Sequence, residues 1–259
     1  MGPVAAKTVK AKLLRVAPAI PVCLASLAYL GLPLALLIRG SFGASEAGFE
    51  RGLPTLTALT MRSIAYAVIP ALLATVVCST ASLLGVFHAR FSTFYRGWLL
   101  VMLFTNPVFL VFGLSILLTK APPLPAVLLA SAYILMPFCG QILQAAVDEF
   151  DFAQARAARS LGASPSYIVF RHILPFTRQQ VLASVLLSAL YSLGFFLTPA
   201  FVGLGRVVTL GTVIYGVANS VGDWTAACQL CIVAIGAQLF LTVAWLVTAR
   251  FFVASQVRT

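Results

Sequence analysis

Long apolar runs joined by short polar segments dominate the pattern of this chain. A membrane crossing takes about 20 apolar residues, and six runs qualify: 16–38, 63–87, 97–119, 121–147, 179–205 and 224–249. None contains Lys, Arg, Asp or Glu. In lipid a lone segment must satisfy its own backbone hydrogen bonds, so these runs predict helices rather than strands. The predicted class is all-α: a polytopic membrane protein with six transmembrane helices in a single domain, 1–259. Only Lys120, with Pro122 and Pro123 after it, separates the third run from the fourth, which predicts a tight hairpin. A seventh apolar stretch, 207–222, is shorter and is interrupted by Gly211, Gly216 and Asn219.

The cations decide how these runs thread the membrane. Six crossings place Lys7, Lys10, Lys12, Arg15, Arg90, Arg96, Arg156, Arg159, Arg171, Arg178, Arg250 and Arg258 on one side. Arg39, Arg51, Arg62, Lys120 and Arg206 fall on the other. The richer side is cytoplasmic by the positive-inside bias, so both termini lie inside. A seventh crossing would carry Arg250 and Arg258 outside. The stretch 207–222 is therefore predicted as a re-entrant or surface-lying outer segment, which needs protein or water around it.

Composition agrees. The chain is 61% hydrophobic and 9% charged, with mean hydropathy +1.03; soluble domains carry about 25% charged residues. The net charge of +11 serves topology in this setting and implies no nucleic-acid partner. Cys23, Cys78, Cys139, Cys228 and Cys231 all sit in apolar runs, as small hydrophobes do. The basic N-terminal cluster before the first run reads as an uncleaved signal anchor. Pro33, Pro70, Pro107 and Pro137 fall inside runs, either as tolerated kinks or as breaks that shape a cavity.

The chemistry that is missing narrows the function. The only lysines are 7, 10, 12 and 120, and none follows a glycine, so the chain has no nucleotide-binding P-loop. Coupling to protons or sodium leaves ionisable groups at membrane depth, and the six runs hold no acid or strong base. The acids are Glu46, Glu50, Asp148, Glu149, Asp151 and Asp223, all outside the runs. No metal-ligand or nucleophile–base pattern is visible, so no enzyme activity and no cofactor are expected in this chain. Asp223 beside Trp224 either caps the last helix at the interface or attracts a cationic solute.

The longest cytoplasmic loop, 148–178, stands out against the oily background. Residues 152–161 form an alanine-rich helix without β-branched residues. Gly162 follows where a helix ends in the left-handed conformation. Ser164 then caps a second helix with Pro165 at its first position. That helix sets Tyr167, Phe170, Ile173 and Leu174 at helical spacing, and Pro175 marks a bend toward the fifth run. Two readings stay open: an amphipathic element on anionic lipid, or a docking handle for a soluble partner that supplies the missing energy.

The stretch AARSLGASPSYIVFRHILP, with Ala157, Ala158, Leu161, Gly162, Ile173 and Pro175 in register, resembles the EAA loop of ABC-importer permeases. FFLTPAFVGLG, VIYGVANSVGDWTAACQL and ILMPFCGQILQAAVDEFD look like the spermidine/putrescine permease B-subunit branch. The resemblance implies a type I importer fold in a bacterial inner membrane. It implies coupling through Arg156, Ala157, Ala158, Leu161, Gly162, Ala163, Ser164, Phe170, Ile173 and Pro175 to a dimer of cytosolic ATP-binding subunits, which hold the ATP and Mg. It further implies a second permease chain, a sister rather than a copy, and a periplasmic solute-binding protein docking on 40–61 and 206–223. The pathway would run along the second to fifth crossings past Asn106, Phe195, Thr198 and Asp223, carrying a polyamine, an aminophosphonate or a similar small polar solute. Arg156 stands where the motif has glutamate.

Overall fold

The computed structural model describes residues 31–42 and 53–254, and every regular element in them is helical. In chain order these are α1 (Gly31–Ser41), α2 (Leu53–Phe87), α3 (Ala89–Phe104), α4 (Pro107–Leu117) and α5 (Pro123–Asp148). The loop supplies α6 (Phe152–Ser160) and α7 (Pro165–Ile168). A π-helical stretch, Val169–Ile173, joins α7 to α8 (Leu174–Leu193). The chain continues through α9 (Leu197–Phe201), α10 (Leu210–Gly216) and α11 (Trp224–Ala254).

Among the described residues four helices are long and apolar enough to cross a membrane, or five if the bent pair α3–α4 is one crossing. The six expected crossings are thus not all seen as continuous spans. Most of the first, 16–38, lies outside the described residues. The third is broken: α3 and α4 meet at 103°. Thr105 closes α3, Asn106 accepts a hydrogen bond from Val108 N at 2.9 Å, and Pro107 takes the first position of α4. Hydropathy runs straight through this joint, but the cap chemistry starts a new helix there. The fifth also differs. Its helix ends at Leu193, and Gly194–Phe196 are non-helical before α9. The stretch 207–222 is a short helix, a π turn over Val217–Val221 and a left-handed Gly222, too short to cross.

The core is the mutual packing of α2, α5 and α8. Each offers a stripe of small residues at helical spacing: Ala67, Ala71, Ala74 and Cys78 on α2, Ala132 and Cys139 on α5, Ser184, Ser188 and Ala189 on α8. Lipid is as apolar as leucine, so close backbone approach and interhelical hydrogen bonds hold such a bundle. A buried seam supplies those bonds. Thr75 Oγ1 lies 3.3 Å from Ser184 Oγ and 3.5 Å from Cys139 Sγ, and Cys139 Sγ lies 2.9 Å from Ser188 Oγ. Such bonds average about 0.6 kcal/mol in membranes. Thr75→Val is therefore expected to lower the thermal midpoint in detergent by only a few degrees. A collapse of the fold would show that the seam, not the small-residue packing, holds the helices.

Candidate functional site

The loop after α5 closes one end of the bundle. Asp151 Oδ1 accepts a hydrogen bond from Ala153 N at 2.9 Å and starts α6. At its far end Gly162 N donates to Arg159 O and Ala163 N to Ala158 O, both at 3.0 Å, with Gly162 at φ +85°. This double closure is a Schellman turn, and its left-handed residue is the one the sequence marks. Ser164 Oγ accepts from Tyr167 N at 3.2 Å, and Pro165 opens α7. Pro175 does not interrupt the helix: Pro165–Leu193 is continuous. The π turn just before it re-pairs the backbone, Leu174 N reaching back to Val169 O, so the missing proline N–H is accommodated.

The loop has two faces. Phe150, Ala155, Ile168 and Ile173 form a buried cluster against Leu83 and Val86 at the end of α2. Phe150 also packs edge-on against Phe152 and Phe176, with ring centroids 5.3 and 5.4 Å apart. The opposite face is open. Leu161 is 89% exposed and Phe170 71%, and Ala157, Arg159, Gly162, Ser164, Tyr167 and Arg171 are exposed beside them. The buried partner on α7 is Ile168, not Tyr167 or Phe170, which the spacing alone grouped with the apolar face.

The expected coupling residues therefore divide. Ala157, Leu161, Gly162, Ser164, Phe170 and Pro175 lie on open surface, Ala158 and Ala163 are half-buried, and Ile173 belongs to the anchor. Arg156 lies on α6, with its side chain outside the described set. Beside the loop a cavity of about 480 Å³ is lined by Gly85, Ser92, Arg96, Gln144, Asp148 and Phe152, among others. Arg96 pairs there with Asp148 at 2.5 Å. Both groups are half exposed, so the pair adds little stability.

The four expected pathway residues sit at helix joints. Asn106 caps α4, and Asp223 Oδ1 accepts from Ala226 N at 2.9 Å at the start of α11. Phe195 lies within the break after α8, and Thr198 is in α9 just beyond it. Phe195 borders a small enclosed cavity with Ser63, Tyr66, Ser131, Ser192 and Thr209, with room for roughly one water. Thr198 is buried, and its hydroxyl has no hydrogen-bond partner among the described residues. Sequence reading missed Phe138 and Tyr191. With Phe195 they form an aromatic column of 4.7 Å steps along α5 and α8. The four-residue step from Tyr191 to Phe195 was the available signal.

Residues 80–254, more than half of the chain, match the profile of the family described as binding-protein-dependent transport system inner membrane component. The chain belongs to that family. As a member it is a multi-pass inner-membrane protein. It is similar to the spermidine/putrescine transport system permease protein PotB of Haemophilus influenzae, 36% identical over 89 residues. That match covers 34% of this chain and 31% of PotB. It is also similar to a Salmonella typhi protein, PhnU, named as a candidate 2-aminoethylphosphonate transport system permease: 31% identical over 109 residues, covering 42% of this chain and 38% of PhnU. The chain thus matches about a third of the length of these relatives and stands clearly nearer to neither. Two solved structures share the fold. A methionine ABC transporter in an inward-facing conformation has TM-score 0.64 at 13% identity, covering 75% of this chain and 94% of that one. A bacterial alginate ABC importer has TM-score 0.60 at 17% identity, covering 92% and 97%.

Proposed function

We propose that this family member is one permease half of an ATP-driven, binding-protein-dependent ABC importer. In this reading six segments cross the membrane with both termini and 148–178 in the cytosol. The chain performs no catalysis. A cytosolic ATPase dimer binds ATP and Mg, and 152–175 passes its movement to the helices. A sister permease completes the pathway, and a periplasmic solute-binding protein docks on 40–61 and 206–223. The observation that carries the reading is the loop itself. It is fastened by a buried face to the end of α2, bears an open opposite face, and is continuous with α8. A loop resting on lipid would spend its apolar face on the bilayer; here Ile168 and Ile173 already spend it on the bundle.

The solute in this reading is a small amine-bearing compound, and the chain sits with the spermidine/putrescine branch. Spermidine and 2-aminoethylphosphonate, for which the two relatives are named, share an ammonium group. Aromatic faces attract such cations, and the column Phe138–Tyr191–Phe195 offers them where the chain has few acids. Asn106, Thr198 and Asp223 stay in the proposed pathway as polar groups at its helix joints. The test is reconstitution with the co-expressed ATPase, sister permease and binding protein in proteoliposomes. Uptake of radiolabelled spermidine or 2-aminoethylphosphonate is expected to require ATP. Equal flux without ATP would assign the chain to passive channels instead.

A further inference from the structure

We infer that the ATPase subunit this permease engages carries an acidic docking cleft, so that the contact is made by arginines on the membrane side and carboxylates on the cytosolic side. The inference rests on the proposed function and adds the chemistry of the partner. Between Phe152 and Arg178 the chain carries Arg156, Arg159, Arg171 and Arg178 and no Asp or Glu. Of the three acids just before it, Asp148 pairs with Arg96 and Asp151 caps α6, while Glu149 is exposed where α5 ends, on the bundle side of the loop. Arg159, Leu161, Phe170 and Arg171 are all exposed, and the stretch that carries them has no carboxylate. Large exposed apolar side chains on a loop that carries one sign of charge have the composition of a docking surface. A cleft of the same sign would repel it, while carboxylates in the cleft would steer and register it. The buried cluster on the other side turns this face away from the bundle, so the partner comes from the solvent at the end of the helices.

The experiment uses the full chain, co-expressed with its ATPase and purified in detergent. The wild-type complex is expected to weaken by about tenfold or more as salt rises from roughly 0.05 to 0.5 M, because exposed charges are screened within a few ångströms there. The double substitution Arg159→Glu and Arg171→Glu, both at open positions, is expected to weaken it on the order of 100-fold at low salt while the permease stays monodisperse. In a second variant, Arg159→Lys with Arg171→Lys, a carbodiimide should join the lysines to Asp or Glu peptides of the ATPase, identified by mass spectrometry. An ATPase that co-purifies but ignores salt and charge reversal, and yields no such cross-link, overturns the acidic cleft and leaves the importer reading intact. Failure of any ATPase to co-purify overturns both. Protection of the two lysines from amine reagents in phosphatidylglycerol nanodiscs without the ATPase would give the face to lipid and overturn the inference as well.

Discussion

Gly162→Pro is expected to abolish ATP-driven uptake while the protein still inserts. Proline holds φ near −65°, and position 162 sits at +85°. The substitution also deletes the N–H that bonds Arg159 O. Both halves of the Schellman closure are lost together, so α6 can no longer be set against α7 at the present angle. The site is open and outside the crossings, so insertion and packing of α2, α5 and α8 should survive. Gly162→Ala provides the graded control, since a side chain in the left-handed region costs about 1–2 kcal/mol, and it should retain part of the activity. The readouts are solute uptake and ATP hydrolysis in the same proteoliposomes. ATP turnover without uptake marks a severed link. Wild-type uptake by Gly162→Pro would remove this turn from the coupling route.

Gly140→Val should damage the packing of α3 against α5. A Cβ at Gly140 would stand 2.5 and 2.7 Å from the two methyl carbons of Leu99 and 3.0 Å from the Tyr95 hydroxyl. Leu99 and Cys139 are fully buried, so neither helix has room to give. Overpacking of a tight core costs about 1–3 kcal/mol, and a β-branched residue cannot swing clear. The expected result is a thermal midpoint lowered by several degrees or loss of the monodisperse peak. Leu99→Ala in the same chain makes space and should recover part of the loss, a coupling that a double-mutant cycle reads directly. A wild-type midpoint for Gly140→Val would mean α3 does not seat against α5 as described.

The loop turn was legible because its chemistry is local. Gly162, Ser164 and Pro165 each demand one backbone state, and neighbours have little say in it. The apolar runs likewise marked α2, α5 and α11 to within a few residues at most ends. The break at Gly194 was missed because hydropathy measures side chains, not backbone continuity, and at Pro107 the sequence left a kink and a break both open. The Asn106–Pro107 pair was nonetheless a readable cap-and-start signal. The π turn before Pro175 was not legible, because hydropathy carries no sign of the Leu174 N to Val169 O pairing that keeps the helix continuous there. Which of Ile168 and Phe170 turns inward was not legible either. Both are apolar, and only Leu83 and Val86, far away in sequence, decide between them.

The continuity of Pro165–Leu193 has a mechanical consequence. At about 1.5 Å per residue, its 29 residues make a rod roughly 40 Å long. Its near end is the proposed docking face, and its far end is the joint at Gly194–Phe196, beside the aromatic column. A stiff rod of that length is a lever with the small-residue stripe along its middle as fulcrum. A tilt of only about 5° about that fulcrum displaces each end by nearly 2 Å in opposite senses, enough to part or close rings that now stand 4.7 Å apart.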